Sequence, residues 1–202
     1  GLNSSSGPSD SSLGSVDDSA KILDQLPVLQ THSESVPRYS RDEFGQRWAD
    51  VDRNGCDTRN DILRRDLRSL QMKTSSPNCV VVGGILDDPY TGRTIDFHKG
   101  EDSSDQVQID HVVALADAWR SGAWQWDAPR RQEFANDPTN LLAVEGNANQ
   151  DKGASRADQW LPPNARYRCA YVQRQIVVKT SWGLGATPRE KKAMKAVLDH
   201  CE

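Results

Sequence analysis

The stretches VQIDHVVAL (residues 107–115) and NLLAVEGNANQDKG (residues 140–153) decide the fold of this 202-residue chain. The first is a β-branched apolar run, which predicts a strand. The second begins with a short apolar run, which predicts another strand, and its turn residues then open a helix. This order would bring Asp110, His111 and Asn149 together across a hairpin. Because neighbours in a strand point to opposite faces, Asp110 and His111 can serve one site only at a strand end or bulge.

Asp110, His111, Asn140 and Asn149 together have the chemistry of a one-metal site. A hard divalent cation prefers oxygen ligands, which a carboxylate and an amide supply. A neutral histidine beside the metal can take a proton from water near pH 7, because its ordinary pKa is about 6.5. Singly, each asparagine has a plainer explanation as a turn residue or helix cap. Together the four would supply a base, a Lewis acid and a phosphate anchor.

The same four residues resemble the HNH (ββα-metal) endonucleases, and the step from Asn140 to Asn149 and Lys152 is similar to the HNH domain of the CRISPR effector nucleases. Further stretches that carry a resemblance are residues 39–61, 87–92, 109–119, 134–144, 149–153, 160–163 and 168–179. They resemble small secreted HNH-family proteins of actinobacteria and fungi, related to the C-terminal part of GmrSD-type restriction enzymes. Asn149 stands where many HNH proteins have a third histidine, which is usual for magnesium-using members and argues against a zinc-type site.

The resemblance implies a role for each residue. His111 would be the general base, Asp110 and Asn149 would bind Mg²⁺ or Mn²⁺, and Asn140 would hold the hairpin and His111 by hydrogen bonding. Candidate substrate contacts are Lys152, Arg59 and Arg156. We therefore expect a metal-dependent endonuclease that hydrolyses DNA, with RNA as an alternative substrate, and leaves 5′-phosphate and 3′-hydroxyl ends.

The expected fold class is α+β, with a ββα-metal (HNH) core, surrounding helices and stabilising disulfides. Residues 1–20 are rich in Ser, Gly and Asp and lack apolar periodicity, which is typical of a flexible leader. The nuclease domain would span residues 21–202. Within it we expect an accessory region (21–105), the catalytic core (about 106–160) and C-terminal helices (161–202).

Helices are predicted on both sides of the core. Two would be inserted between the catalytic strands, and the segment from Asn60 onward, NDILRRDLRSL, also has a helical pattern. Near the end of the chain, Thr187 and Glu190 form a capping box with Pro188 at the first helical position. The helix that this box opens would pack on another over residues 164–182. The tryptophans at 119, 124, 126, 160 and 182 are predicted to pack in the core or in a lid, and platforms for base stacking are the alternative.

The cysteines at 56, 79, 169 and 201 lack zinc-type spacing. An even number of scattered cysteines indicates two disulfides and an oxidising compartment. Of the three possible pairings we favour Cys56–Cys79 and Cys169–Cys201, since each pair brackets one region; four buried thiols are the alternative. Gly1 is not a natural start, so we expect that a secretion signal has been removed. No transmembrane run is visible, and a monomer is expected.

The net charge of −4 and pI near 5.6 are unlike those of most nucleic-acid binders. Basic residues gather in the C-terminal half, at Arg130, Arg131, Lys152, Arg156, Arg166, Arg168, Arg174 and Lys179. A basic groove near the site can coexist with an acidic whole. The alternative is that these residues lie on ordinary solvated helix faces.

A second metal site is suggested by Asp50, Asp52, Asn54 and Asp61, which follow the start of an EF-hand calcium loop. An Asp at the last position, where Glu is usual, weakens the pattern. The alternative is a turn at Asn54 followed by a helix capped by Asp57. The loop supports a rival interpretation, a calcium-stabilised extracellular binding module without catalysis. A nuclease toxin is a second rival, which shares the chemistry but differs in delivery.

Overall fold

The computed structural model describes residues 13–30, 35–74, 79–100 and 106–201. The helices are α1 (Val16–Gln25), α2 (Thr58–Asp66), α3 (Leu115–Arg120), α4 (Ala128–Ala135), α5 (Gly146–Lys152), α6 (Arg168–Trp182) and α7 (Pro188–Leu198). The strands are β1 (Arg68–Met72), β2 (Val81–Asp87), β3 (Thr94–His98), β4 (Val107–His111) and β5 (Leu141–Glu145). Short 3₁₀ turns lie at Arg41–Phe44, Ala123–Gln125, Pro138–Asn140 and Ala165–Tyr167. The α+β class predicted from the sequence is confirmed.

The strands form two antiparallel sheets, β1-β2-β3 and β4-β5. In the second, the register runs from Val107 opposite Glu145 to His111 opposite Leu141. Helices α3 and α4 are inserted between the two strands, as predicted, and α5 begins directly after β5. The two predicted strands therefore pair with each other, and the predicted helix follows the second strand.

The β4-β5 hairpin is buried on both faces, which explains its nearly continuous apolar sequence. Along β5, Leu142 and Val144 pack into a cluster with residues of α1, α6 and α7. Their neighbours Leu141 and Ala143 pack into a second cluster with residues of α2, β2 and β3. A third cluster joins α3 and α4 around the buried ring of Phe44. The hairpin is thus fixed from both sides, which holds its ends in place.

The five tryptophans predicted to pack do so, with Trp119 buried and the other four half-buried. Trp119 is buried in the cluster around Phe44, against which Trp124, Trp126 and Trp182 also pack. Trp160 packs on the cluster at the other face of the hairpin.

Both favoured disulfides are confirmed. Cys56 is bonded to Cys79, and Cys169 is bonded to Cys201. The first ties the loop before α2 to the start of β2, and the second ties the first turn of α6 to the end of the chain. No cysteine is left free.

The chain is ordered earlier than predicted. Helix α1 begins at Val16, inside the predicted leader, because the Ser15 hydroxyl accepts a hydrogen bond from the backbone N–H of Asp18 (3.0 Å). Leu13 is also buried. The boundary at residue 20 is therefore wrong for residues 13–20, and the rest of the predicted leader lies outside the described residues.

The helix predicted from Asn60 onward is too long. Helix α2 begins at Thr58, where Asp57 caps it by accepting from the N–H of Asn60 (2.8 Å), and it ends at Asp66. The following residues form β1 instead, because their backbone pairs with β2. This three-stranded sheet was not predicted from the sequence, since β1 lacks an alternating apolar pattern. Among the described residues, no helix is both long and apolar enough to cross a membrane.

Candidate active site

Asp110, His111 and Asn149 line one cavity of about 660 Å³. His111 is the last residue of β4 and Asn149 lies on α5, so the hairpin and its helix supply all three. Asp110 and His111 thus stand at a strand end, as a shared site requires. Six further residues complete much of the wall: Tyr39, Arg41, Arg47, Trp48, Arg59 and Gln108.

The hydrogen bond of His111 decides which ring nitrogen is available. Nε2 lies 2.8 Å from the carbonyl oxygen of Ala135. A carbonyl only accepts, so Nε2 carries the hydrogen and Nδ1 keeps a free lone pair. Burial lowers the pKa of His111 to about 3, and the positive charges of Arg41, Lys152 and Arg47 contribute to the decrease. The imidazole is therefore neutral at pH 7, the state that can accept a proton.

Trp48 holds the face of the His111 ring. The two rings stack with centroids 5.6 Å apart and planes 7° from parallel. Trp48 has a φ of 55°, a left-handed conformation that costs about 1–3 kcal/mol for a bulky residue. Its carbonyl accepts from the N–H of Thr58 (3.3 Å), which ties the strained residue to the start of α2. Trp48 could not be predicted from the sequence, because neither the strain nor the stacking leaves a local pattern.

Asp110 is held by a buried lysine and a buried tyrosine. The Lys152 ammonium lies 3.1 and 2.8 Å from the two carboxylate oxygens and donates to the carbonyl of His111 (2.6 Å). The Tyr90 hydroxyl donates to Oδ2 of the same carboxylate. Burial raises the pKa of Asp110, and Lys152 and Tyr90 only partly oppose the rise. Tyr90 is itself placed by Asp88, which accepts from the N–H of Tyr90 (3.2 Å) and of Glu145 (3.1 Å).

Lys152 was expected to contact substrate phosphate, and its position argues for another role. Its side chain is fully buried beneath the cavity and its charge is used by Asp110. A carboxylate that is removed from water needs a counter-charge, and the last turn of α5 supplies one. Lys152 is therefore a support for Asp110 and not a surface phosphate contact.

The two asparagines have distinct surroundings. Asn149 donates from Nδ2 to Oε1 of Gln108 (2.9 Å), which leaves its amide oxygen as the available ligand atom. Asn140 is fully buried and bonds both backbone groups of Val113, accepting from N–H (2.7 Å) and donating to C=O (3.0 Å). These contacts fix the chain two residues after His111, and a supporting role for Asn140 in catalysis stays a prediction.

The other two candidate substrate contacts, Arg59 and Arg156, line two different cavities. Arg59 lines the cavity, and its guanidinium is 3.5 Å from the carbonyl of Val107. Arg156 instead lines a different cavity and pairs with Asp158 at 3.3 Å. Arg156 is therefore not brought to His111, although Lys152, close to it in sequence, lies directly under the site.

The basic surface around His111 comes from an unexpected part of the chain. Its arginines are Arg41, Arg47 and Arg59, all from the N-terminal half. Two of the C-terminal basic residues that predicted a groove have structural contacts within the protein instead. The Arg130 guanidinium lies 4.6 Å from the ring centre of Trp126, and Lys179 is fully buried in ion pairs. Sequence clustering of charge was thus a poor guide to the charge at the site.

The polar groups of the suggested calcium loop form hydrogen bonds with one another. The side-chain amide of Asn54 donates to Asp52 (3.1 Å) and to both carboxylate oxygens of Asp61 (3.0 and 3.1 Å). Asp50 accepts from the N–H groups of Asn54 (3.1 Å) and Gly55 (2.9 Å). Within the described ranges, no three His, Cys, Asp or Glu side chains converge closely enough to hold a metal ion. The capped turn of the alternative interpretation is present, and calcium binding stays a prediction.

Comparison with known proteins shows the family. Residues 57–197, well over half of the chain, match the family described as GmrSD restriction endonucleases, C-terminal domain. The chain therefore belongs to this family and is related to nucleases. It is also 39% identical over 165 residues to an uncharacterized secreted protein of Arthroderma benhamiae, covering 81% of this chain and 76% of that protein. No solved structure gives a significant match.

Proposed function

We propose that the protein is a secreted, metal-dependent endonuclease of the HNH type that hydrolyses phosphodiester bonds of DNA, with RNA as an alternative substrate. One observation carries the proposal: a neutral histidine with a free Nδ1 shares a basic cavity with a carboxylate and an amide oxygen. The relationship to restriction endonucleases agrees with this chemistry.

The donor atoms fit a hard divalent cation. Asp110 lines the cavity, and Oδ1 has one hydrogen-bond donor, so it keeps a lone pair. Asn149 offers its amide oxygen, because its nitrogen is used by Gln108. Two protein oxygens suit Mg²⁺ or Mn²⁺, since Mg²⁺ usually keeps several waters and takes further oxygens from substrate phosphate. Lys152 already compensates the charge of Asp110, so we expect weak metal affinity. When bound, the metal would supply Lewis-acid stabilisation of the negative charge that develops on the phosphate and on the leaving 3′-oxygen.

His111 acts as the general base in this proposal. Nδ1 accepts the proton of the attacking water, while the bond from Nε2 to Ala135 and the stacked ring of Trp48 keep the imidazole in one orientation. The bond from phosphorus to the 3′-oxygen breaks as the water oxygen bonds to phosphorus, and the departing 3′-oxygen takes a proton from solvent water, which gives 5′-phosphate and 3′-hydroxyl ends. The positive arginines lower the pKa of His111, because they disfavour a second positive charge nearby. An anionic phosphodiester bound in the cavity would have the opposite effect and raise this pKa.

Secretion follows from two observations. The protein has two disulfides, and disulfides form and persist mainly in oxidising compartments such as the extracellular space. The relative in Arthroderma benhamiae is named as a secreted protein.

The test is nicking of supercoiled plasmid by the purified protein, with Mg²⁺ and with excess EDTA. We expect nicks only with the metal, and DNA ligase should reseal them without prior treatment of the ends. A failure to nick any nucleic acid, or cleavage that EDTA does not affect, would contradict the proposal.

A further inference from the structure

The cavity around His111 has a wall of three arginines, Arg41, Arg47 and Arg59. None of them forms an ion pair with a carboxylate in the part of the chain that the structure describes. Elsewhere in the described residues, arginines do have such partners within 4.0 Å: Arg64, Arg65, Arg68, Arg93, Arg131 and Arg156. Other described arginines, among them Arg53 and Arg120, also lack such a partner, but Arg41, Arg47 and Arg59 are the three that line the cavity of the proposed active site.

The wall brings the positive charges of Arg41 and Arg47 close together, and Asp42 and Asp57 compensate the wall only in part. Burial lowers the pKa of Arg41, and the nearby positive charge of Arg47 lowers it further. Asp110, which lines the same cavity, is already paired with Lys152. Guanidinium groups that lie close together favour the binding of an anion, because its negative charge offsets their mutual repulsion.

Arg41 is also held in place before any ligand arrives. Arg41 opens the 3₁₀ turn Arg41–Phe44 and donates to the carbonyl of Gly45 (3.2 Å). The ring of Phe44 is fully buried against Trp119 and Phe134. This anchor fixes the segment that carries Arg41, so an anion that binds Arg41 would cost little ordering there.

We propose that Arg41, Arg47 and Arg59 bind the backbone phosphates that flank the scissile phosphodiester of a nucleic acid. The inference rests on the proposed function and adds where the polyanion lies. Arg41 and Arg47 precede the family-matched residues 57–197, so the N-terminal segment completes a substrate site whose catalytic residues lie within them. Phosphate contacts of this kind position a nucleic acid without reading its sequence.

The test separates binding from cleavage. Fluorescence anisotropy measures the affinity of a short labelled DNA duplex in EDTA, across a salt series, for wild type and for Arg47→Gln, Arg41→Gln and Arg59→Gln. Arg47 is exposed, so its variant should fold normally, and thermal unfolding checks the other two. Arg38→Gln is the matched control, because Arg38 lies on the same segment but lines the other cavity.

We expect Arg47→Gln to bind the duplex about tenfold more weakly, as for loss of one charged hydrogen bond. Its slope of log affinity against log salt should be shallower by about 0.9. Arg38→Gln should bind like wild type. Wild-type affinity in Arg47→Gln, or an equal loss in Arg38→Gln, would overturn the inference. Arginine-dependent binding by a wild-type protein that never cleaves would support the phosphate wall and overturn the proposed function.

Discussion

Two lysines, Lys152 and Lys179, are fully buried in this protein, and they lie in different surroundings. Lys179 is paired with Asp117 (3.2 Å) and Glu190 (2.9 Å), and so joins α6 to α3 and α7. Lys152 is paired with Asp110 alone, and that carboxylate faces the cavity of His111. Burial of an ammonium group therefore does not by itself mark a functional site. The neighbouring base and the unpaired cavity arginines distinguish the Lys152 region.

The largest effect is expected at the base. His111→Ala should reduce cleavage by about 10²–10⁴-fold, the usual loss when a general base is removed. Steady-state nicking rates measure the loss, and urea unfolding checks that the variant folds. His98→Ala is the control, because His98 is exposed and lies on β3. A His111→Ala rate within twofold of wild type, set against that expected loss, would remove His111 from the mechanism.

Replacing each buried lysine by methionine sharpens the comparison. Lys179→Met and Lys152→Met should each lower the free energy of unfolding by about 3–5 kcal/mol, because each leaves buried carboxylates without a counter-charge. Urea denaturation measures both losses. Per folded molecule, Lys179→Met should cleave like wild type, whereas Lys152→Met should lose activity because Asp110 is no longer held.

The lysine pair also tests the role first expected for Lys152. A Lys152→Met variant of wild-type stability that only binds DNA more weakly would restore Lys152 as a surface phosphate contact. It would also contradict the buried ion pair with Asp110.

Reduction of the disulfides should destabilise both the cavity of His111 and helix α6, which carries Lys179. Loss of a native disulfide typically costs about 2–5 kcal/mol. Cys56–Cys79 lies beside the segment that carries Trp48 and Arg59, and Cys169–Cys201 lies at the start of α6. Thermal unfolding with and without reductant measures the sum, and Cys→Ser pairs at each bridge separate the two contributions. An unchanged melting temperature after complete reduction would contradict a stabilising role for both bridges.

The smallest effect concerns pH and the Lys179 region. Burial raises the pKa of Glu190, Lys179 partly opposes the rise, and Asp117 adds to it. The folded protein therefore holds this proton more tightly than the unfolded chain. Its contribution to stability is present below the ordinary pKa of 4.5 and is lost as the pH rises through the raised pKa.

Glu190→Gln removes this titration and keeps a side chain that can complete the capping box with Thr187. We therefore expect the unfolding free energy of wild type, relative to the variant, to fall as the pH rises from below 4.5. Urea denaturation of both proteins over a pH series measures it. A constant difference would show that Glu190 titrates alike in the folded and unfolded states.

The hairpin could be predicted because its signals are local. Residues 107–115 and 140–153 have strong apolar runs followed by turn residues, and both disulfides follow from how the cysteines bracket the chain. The surroundings of the site could not be predicted in this way. Trp48 and Tyr90 reach it only through the tertiary fold. The partner of Lys152 is likewise decided by how α5 packs on β4, which sequence spacing does not reveal.

The central claim is that Asp110 and Asn149 hold the metal beside His111. The most direct test is a Mg²⁺ titration of nicking activity for wild type, Asn149→Ala and Asn147→Ala. Asn147 is the matched control, because it lies on the same helix but is exposed and lines another cavity. We predict that Asn149→Ala needs about tenfold more Mg²⁺ for half-maximal activity, and that excess metal partly restores its rate. Asn147→Ala should match wild type. The same Mg²⁺ midpoint in all three proteins would place the metal elsewhere and contradict the account.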